Sequence, residues 1–280
     1  MQLTLKPTVA DQLLSRLGQY RRHTRLFAAS GLLAAGTALH LRIPSTLLPV
    51  WLWCPPGTFW QRPLFETDST LWQKLTFRHG FWIAQTPVTC QEYQSVLNPS
   101  STVVFDRVPT APYHTQHIQE AIDWCEHLTK ALRKHRLLTA TERVDLPHVA
   151  QWEYACRAGS TETWPFGPDK NRLSDYAWYR DTLPPGVEAH NLVVKTKLPN
   201  AWGLYDCLGL VSEWRYETRV QGTTPFAYQP QPHDKDKLYS VTSGHFAASD
   251  LETMPENAWL SSGANPERLP IGFRPVIVSA

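Results

Sequence analysis

Residues Leu198–Trp214, LPNAWGLYDCLGLVSEW, set two carboxylates, Asp206 and Glu213, into a run that is otherwise apolar and punctuated by Gly203 and Gly209. Charge in such a run demands a partner, because a buried carboxylate without one is strongly unfavourable. The pair could do acid/base work or ligate a metal. It could equally cap turns and accept backbone N–H bonds within its own loop. Which of these holds depends on what surrounds the stretch.

The chain has 280 residues and a formal charge of +2, with 19% charged residues, so no basic surface calls for nucleic acid and no acidic tail for a basic partner. Twelve Trp and 23 Pro are the unusual numbers. Trp requires a packed ring and a paired indole N–H, while Pro interrupts helices and central strands. Together they predict a fold with much irregular backbone held by aromatic packing. The five cysteines, Cys54, Cys90, Cys125, Cys156 and Cys207, include no CxxC pair and are odd in number, so neither a disulfide framework nor a zinc site is signalled. A reducing, cytoplasmic setting fits them, with Cys125 and Cys156 read as small core residues.

The N-terminal residues 1–50 read as a separate helical and apolar segment. TVADQLLSRLGQY has an N-cap at Thr8 and an apolar stripe at Leu13, Leu14 and Leu17. The apolar run Leu26–Leu41 is shorter than the roughly 20 residues that span a bilayer, so it is expected as a buried or partner-docking helix and membrane contact is not expected. From Trp51 the texture turns aromatic, and residues 51–280 are expected as one α+β domain. Its elements are an extended segment at Phe81–Gln85, a helix capped by Thr89 with Glu92 in a capping box, and a helix through Ile122, Cys125, Leu128 and Leu132. A further helix has Pro147 near its first turn and Gly159 as its stop, and the closing strand is IGFRPVIV.

In order along the chain, CPPGTFW, FWIAQTPVTCQEYQSVL, AIDWC, LPHVAQWEYACRAGSTETWPFG, LPNAWGLYDCLGLVSEW and IGFRPV resemble the successive blocks of the formylglycine-generating-enzyme, or sulfatase-modifying factor, family. The resemblance implies a C-type-lectin-like fold with a ligand cleft. It also implies a choice among copper-dependent oxidases, iron-dependent sulfoxide synthases and members without chemistry, the last including variable proteins of diversity-generating retroelements.

The copper thiolates of the oxidases would fall at Ala248 and near Thr253, and a methyl or a hydroxyl cannot serve copper(I), so no copper is expected. The synthases' iron histidines have no counterpart beyond His23 and His40, and His114 with His117 lacks a third ligand. What the resemblance does carry over is a structural calcium site at Asp206, Gly209, Val211 and Glu213, with Leu210 departing from the usual Asn. Turn-capping remains open for the same two acids. The chain departs from its family most in the block Tyr239–Leu269. The expected function is therefore a non-catalytic binding protein that presents Ser243, His245, Phe246, Ala247, Ser249, Asp250, Glu252, Asn257, Trp259 and Arg268 to a protein or small-molecule ligand. Trp259 and Arg268 are its anchors unless Trp259 packs inward or Arg268 pairs with Glu267. The alternative is a copper- or iron-dependent oxidoreductase of the formylglycine-generating type with altered ligands. The N-terminal segment would dock the domain to a partner subunit.

Overall fold

The computed structural model of the protein describes residues 33–61, 73–99, 108–183, 191–218, 237–241 and 270–279. The apolar runs VWLWC, FWIA and VIVS become strands β2 (Val50–Cys54), β5 (Phe81–Ala84) and β10 (Val276–Ser279), almost wholly buried along their length, which is why they read as continuous rather than alternating. With β1 (Ala38–His40) and β6 (Glu142–Asp145) they form an antiparallel sheet in the order β1-β2-β5-β10-β6. Strands β3 (Gly57–Gln61) and β4 (Gln73–Phe77) make a separate ribbon. In a third sheet β7 (Ser212–Thr218) is central, antiparallel to β8 (Lys237–Val241) and parallel to β9 (Ile271–Phe273).

The helices follow their local signals. Helix α1 (Cys90–Leu97) starts at Thr89, whose hydroxyl accepts from the Glu92 N–H while the Glu92 carboxylate accepts from the Thr89 N–H, the reciprocal pattern that satisfies two otherwise unpaired donors. Helix α2 (Ile118–Lys134) buries Ala121, Trp124, Cys125, Leu128 and Leu132 on one face and carries Arg133 and Lys134 in its last turn, where cations suit the helix dipole. Helix α3 (Val149–Arg157) is buried on every side. Its cap is His148, whose Nδ1 accepts from the Ala150 N–H at 3.1 Å, and its end is turned by left-handed Ala158 one residue before Gly159. Helix α4 (Leu173–Tyr176) is a single turn.

The main core joins Trp51, Trp53, Trp82, Trp124, Trp214 and Phe273, with Trp124 edge-on to Phe273 at 5.3 Å between ring centres. The expectation that buried indoles are paired holds for Trp214, which donates to Thr115 Oγ1 at 2.8 Å, and fails for Trp51, Trp82 and Trp124. Packing of the rings outweighs those unmade bonds.

Two expectations are corrected. The run Leu26–Leu41 does not end as helix: Ala38–His40 is strand β1, paired with β2, and Leu33, Leu39, Leu41 and Ile43 pack against the main core. The reason is tertiary, since an apolar run adopts the conformation that completes an open sheet edge. Likewise IGFRPVIV is not one strand. It breaks at Arg274–Pro275 into β9 and β10, which belong to different sheets. The proposed helix from Thr8 lies outside the described residues. The secondary structure is a mixture of helices and several small sheets, as expected of an α+β domain.

Candidate functional site

Arg274 occupies the break between β9 and β10 and is fully buried. Its guanidinium is completely hydrogen-bonded. Nε donates to both Glu213 oxygens at 3.2 and 3.1 Å, and Nη2 donates to Glu213 Oε1 at 2.9 Å and to the carbonyls of Tyr205 and Asp206 at 2.8 and 3.3 Å. Nη1 donates to the carbonyls of Ala84 and Gln85 at 3.2 and 2.8 Å. The indole N–H of Trp152 on α3 completes the Glu213 shell at 2.6 Å to Oε2. Burial alone would lower the pKa of Arg274, but the neighbouring Glu213 carboxylate overrides it and the net shift is upward, so the guanidinium stays charged. One side chain thus ties β5, the loop before β7, β7 itself and the junction of two sheets.

Asp206 approaches the same arginine through its main-chain carbonyl, while its carboxylate turns the other way and accepts the Lys195 N–H at 2.9 Å. Burial pushes its carboxyl up to about 6, against the opposing pull of that N–H and of Arg274, with the Glu213 charge adding to the rise. The backbone here is left-handed at Asp206 (φ 56°), Gly209 (φ 74°) and Leu210 (φ 64°). A Cβ at Gly209 would stand 2.1 Å from the Trp178 carbonyl, so only glycine fits. Leu210 explains why Asn is the usual residue at its position: Asn tolerates a left-handed backbone, whereas Leu here accepts the strain in return for burial with Leu192 and Val211.

The donor set for calcium can be weighed on these contacts. Four N–H contacts from Arg274 and Trp152 already fill the lone pairs of Glu213, and the Gly209 carbonyl accepts the Val211 N–H at 2.9 Å. A calcium ion at Asp206, Gly209, Val211 and Glu213 would have to share Glu213 with a cation already in contact with it.

The residues expected to bind ligand, Ser243, His245, Phe246, Ala247, Ser249, Asp250, Glu252, Asn257, Trp259 and Arg268, lie outside the described residues, as do Ala248 and Thr253. Their anchorage, however, is described. Strand β8 runs into the segment and β9 leads out of it, and the two flank β7 on opposite sides, with Val241 and Phe273 both in register with Trp214. With one strand spacing on either side and Ile271 two residues further along, the ends of the segment, Val241 and Ile271, are about 12 Å apart. Both are held: Val241 and Ile271 are fully buried, Thr115 donates its N–H and O–H to the Ile271 carbonyl, and Arg215 Nε donates to Ser240 Oγ. His114 and His117 precede α2 instead of sharing a helical turn, with His117 at its N-cap position, and no cluster of three His, Cys, Asp or Glu side chains able to hold a metal occurs among the described residues. Sequence reading missed the roles of Arg274, Trp152 and Thr115. The signal for Arg274 was present, as a lone cation in the apolar run IGFRPVIV has to meet an anion.

Residues 42–278 match the sulfatase-modifying factor enzyme 1-like domain. The chain belongs to that family. Among solved structures, it is similar to Treponema denticola variable protein 1, with a TM-score of 0.61 at 21% identity over 83% of this chain and 95% of that one. It is similar also to PvdO from Pseudomonas aeruginosa, with a TM-score of 0.65 at 20% identity over 89% of this chain and 100% of the other. A third, CarF, has a TM-score of 0.51 at 17% identity over 81% and 97% of the two chains. At such identities these neighbours report the shared fold. No curated protein sequence matches the chain. Among the described residues no helix is long and apolar enough to cross a membrane.

Proposed function

We propose that this chain is a non-catalytic, ligand-binding member of the sulfatase-modifying factor family, in which the segment 242–269 presents the binding surface. The observation that carries the reading is the clamp at the base of that segment. Its two ends leave the two sides of β7 about 12 Å apart, each buried and hydrogen-bonded, so a long connection of any composition can be carried on a fixed frame. The ligand is a protein or a small molecule, and the N-terminal segment docks a partner subunit. Likeness of fold to a variable protein supports the further reading that the segment is diversified by a retroelement. On this reading Arg274 supplies the positive charge that braces the Asp206–Glu213 loop, where the family resemblance leads to calcium. Chelation by EDTA is then expected to leave the melting temperature unchanged, and a fall on chelation would assign the loop to calcium after all.

The test of the main reading replaces residues 242–269 by a Gly/Ser linker and probes both chains on peptide and glycan arrays. The parent is expected to bind a subset of probes, and the linker chain to bind none while keeping the parent melting temperature. Aldehyde formation and oxygen consumption by the parent, incubated with copper and a Cys-containing peptide, would overturn it in favour of an oxidoreductase with altered ligands. A near-copy of the codons for Tyr239–Arg274 beside the gene, differing at adenines, is the expected mark of diversification.

A further inference from the structure

Cys207 lies one residue from Asp206, at the seam between two hydrophobic clusters. One contains Cys156 of α3 with Trp152, Trp164 and Leu208, the other contains Cys54, and Cys207 packs against both. Four of the five cysteines are buried, and Cys207 is the one that is partly exposed. It lines a surface groove with Phe166, Tyr176, Asn200 and Leu204. Cys156 and Cys207 are in contact, the Cys156 thiol lying 3.9 Å from the Cys207 carbonyl. A partly exposed cysteine in contact with a buried one is placed for oxidation at the first and disulfide closure by the second.

We propose that Cys207 and Cys156 form an oxidative modification site: a hydroperoxide reaching the groove oxidises Cys207, and Cys156 closes an intramolecular disulfide with it. In the first step the Cys207 sulfur attacks one peroxide oxygen and the O–O bond breaks. Cys207 becomes a sulfenic acid, the peroxide is reduced, and with hydrogen peroxide the other oxygen leaves as water once it gains the thiol proton. In the second step the Cys156 sulfur attacks the Cys207 sulfur, the S–O bond breaks, and the oxygen leaves as a second water carrying the Cys156 proton. The roles cannot be exchanged. Cys156 is buried and packed among Trp152, Trp164 and Leu173, so peroxide meets Cys207 first.

The closed bond links α3 to the loop whose Tyr205 and Asp206 carbonyls hold Arg274, across the 51 residues that separate the two cysteines. A crosslink closing a loop of that length restricts the unfolded chain, so the oxidised protein is expected to melt several degrees higher than the reduced one. Closure to the S–S bonding distance of about 2 Å needs rotation at Cys207, whose Sγ otherwise points to the Tyr205 carbonyl at 3.8 Å.

The experiment uses the full chain under native conditions, exposed to graded hydrogen peroxide, alkylated, and mapped by peptide mass spectrometry. A Cys156–Cys207 crosslinked peptide is expected, with loss of two of the five free thiols and retention of Cys54, Cys90 and Cys125. In Cys156→Ser the reaction should stop at a dimedone-trapped sulfenic acid on Cys207, and Cys207→Ser should keep all its thiols at the same exposure. Cys207 is on the surface side, so C207S tests the site even where C156S fails to fold. The proposal is overturned if Cys207 stays reduced at exposures that oxidise free glutathione, or if the crosslink recovered is Cys207–Cys54.

Discussion

Removing the charge of Glu213 is the most direct probe of the frame. In Glu213→Gln the side chain keeps its shape and one acceptor oxygen, so Trp152 or the Arg274 Nη2 keeps a partner, but the guanidinium is left as a fully buried cation without a counterion. Breaking a buried, hydrogen-bonded ion pair from one side costs about 3–5 kcal/mol. Glu213→Ala also orphans the Trp152 indole N–H, adding roughly 1–3 kcal/mol. For a domain of this size about 3–4 kcal/mol lowers Tm by on the order of 10 °C. Arg274→Met fares no better, because it frees the carbonyls of Ala84, Gln85, Tyr205 and Asp206 together with the Glu213 carboxylate. The informative measurement is the double-mutant cycle, read by urea unfolding with tryptophan fluorescence. E213Q added to R274M should cost little more than R274M alone, giving a coupling of about 3 kcal/mol that does not weaken with added salt, since the pair is shielded from solvent. A cost below about 1 kcal/mol for E213Q, or strictly additive effects, would refute the reasoning.

Asp206 offers a pH test. Its folded-state pKa of about 6 stands above the unfolded value near 4, so the folded chain holds the proton more tightly; the stabilisation is complete below about pH 4 and is lost as pH rises to about 6. Asp206→Asn, which keeps an acceptor for the Lys195 N–H and tolerates φ 56°, should flatten that slope in metal-free buffer and raise stability at pH 7 by up to ~3 kcal/mol; an unchanged pH profile would refute the assignment. Gly209→Ala should lower stability by ~3 kcal/mol, through left-handed strain and contact with the Trp178 carbonyl, and a neutral result in thermal melts would refute the close approach. Thr89→Ala should cost about 1 kcal/mol by removing half of the α1 capping box, as measured by urea unfolding.

Local chemistry alone settles a good part of this protein. The 3.6-residue period of Ile122, Cys125, Leu128 and Leu132, the Thr89–Glu92 box and the extended run FWIA are complete within a few residues, and they reappear as α2, α1 and β5. The order of short blocks was enough to identify the family and its α+β class. What could not be read locally depends on the path of the chain. The run Leu26–Leu41 could pass for a helix until the open edge of β2 was there to receive its Ala38–His40, and IGFRPVIV looked like one strand until two sheets claimed its halves. The carboxylates of LPNAWGLYDCLGLVSEW follow the same rule. That each requires a hydrogen-bonding or charged partner follows from burial in an apolar stretch. That Glu213 meets Arg274, 61 residues on, while Asp206 turns to the Lys195 N–H, is decided by β7 and β9 lying parallel side by side, because an ion pair selects its partner by proximity in space.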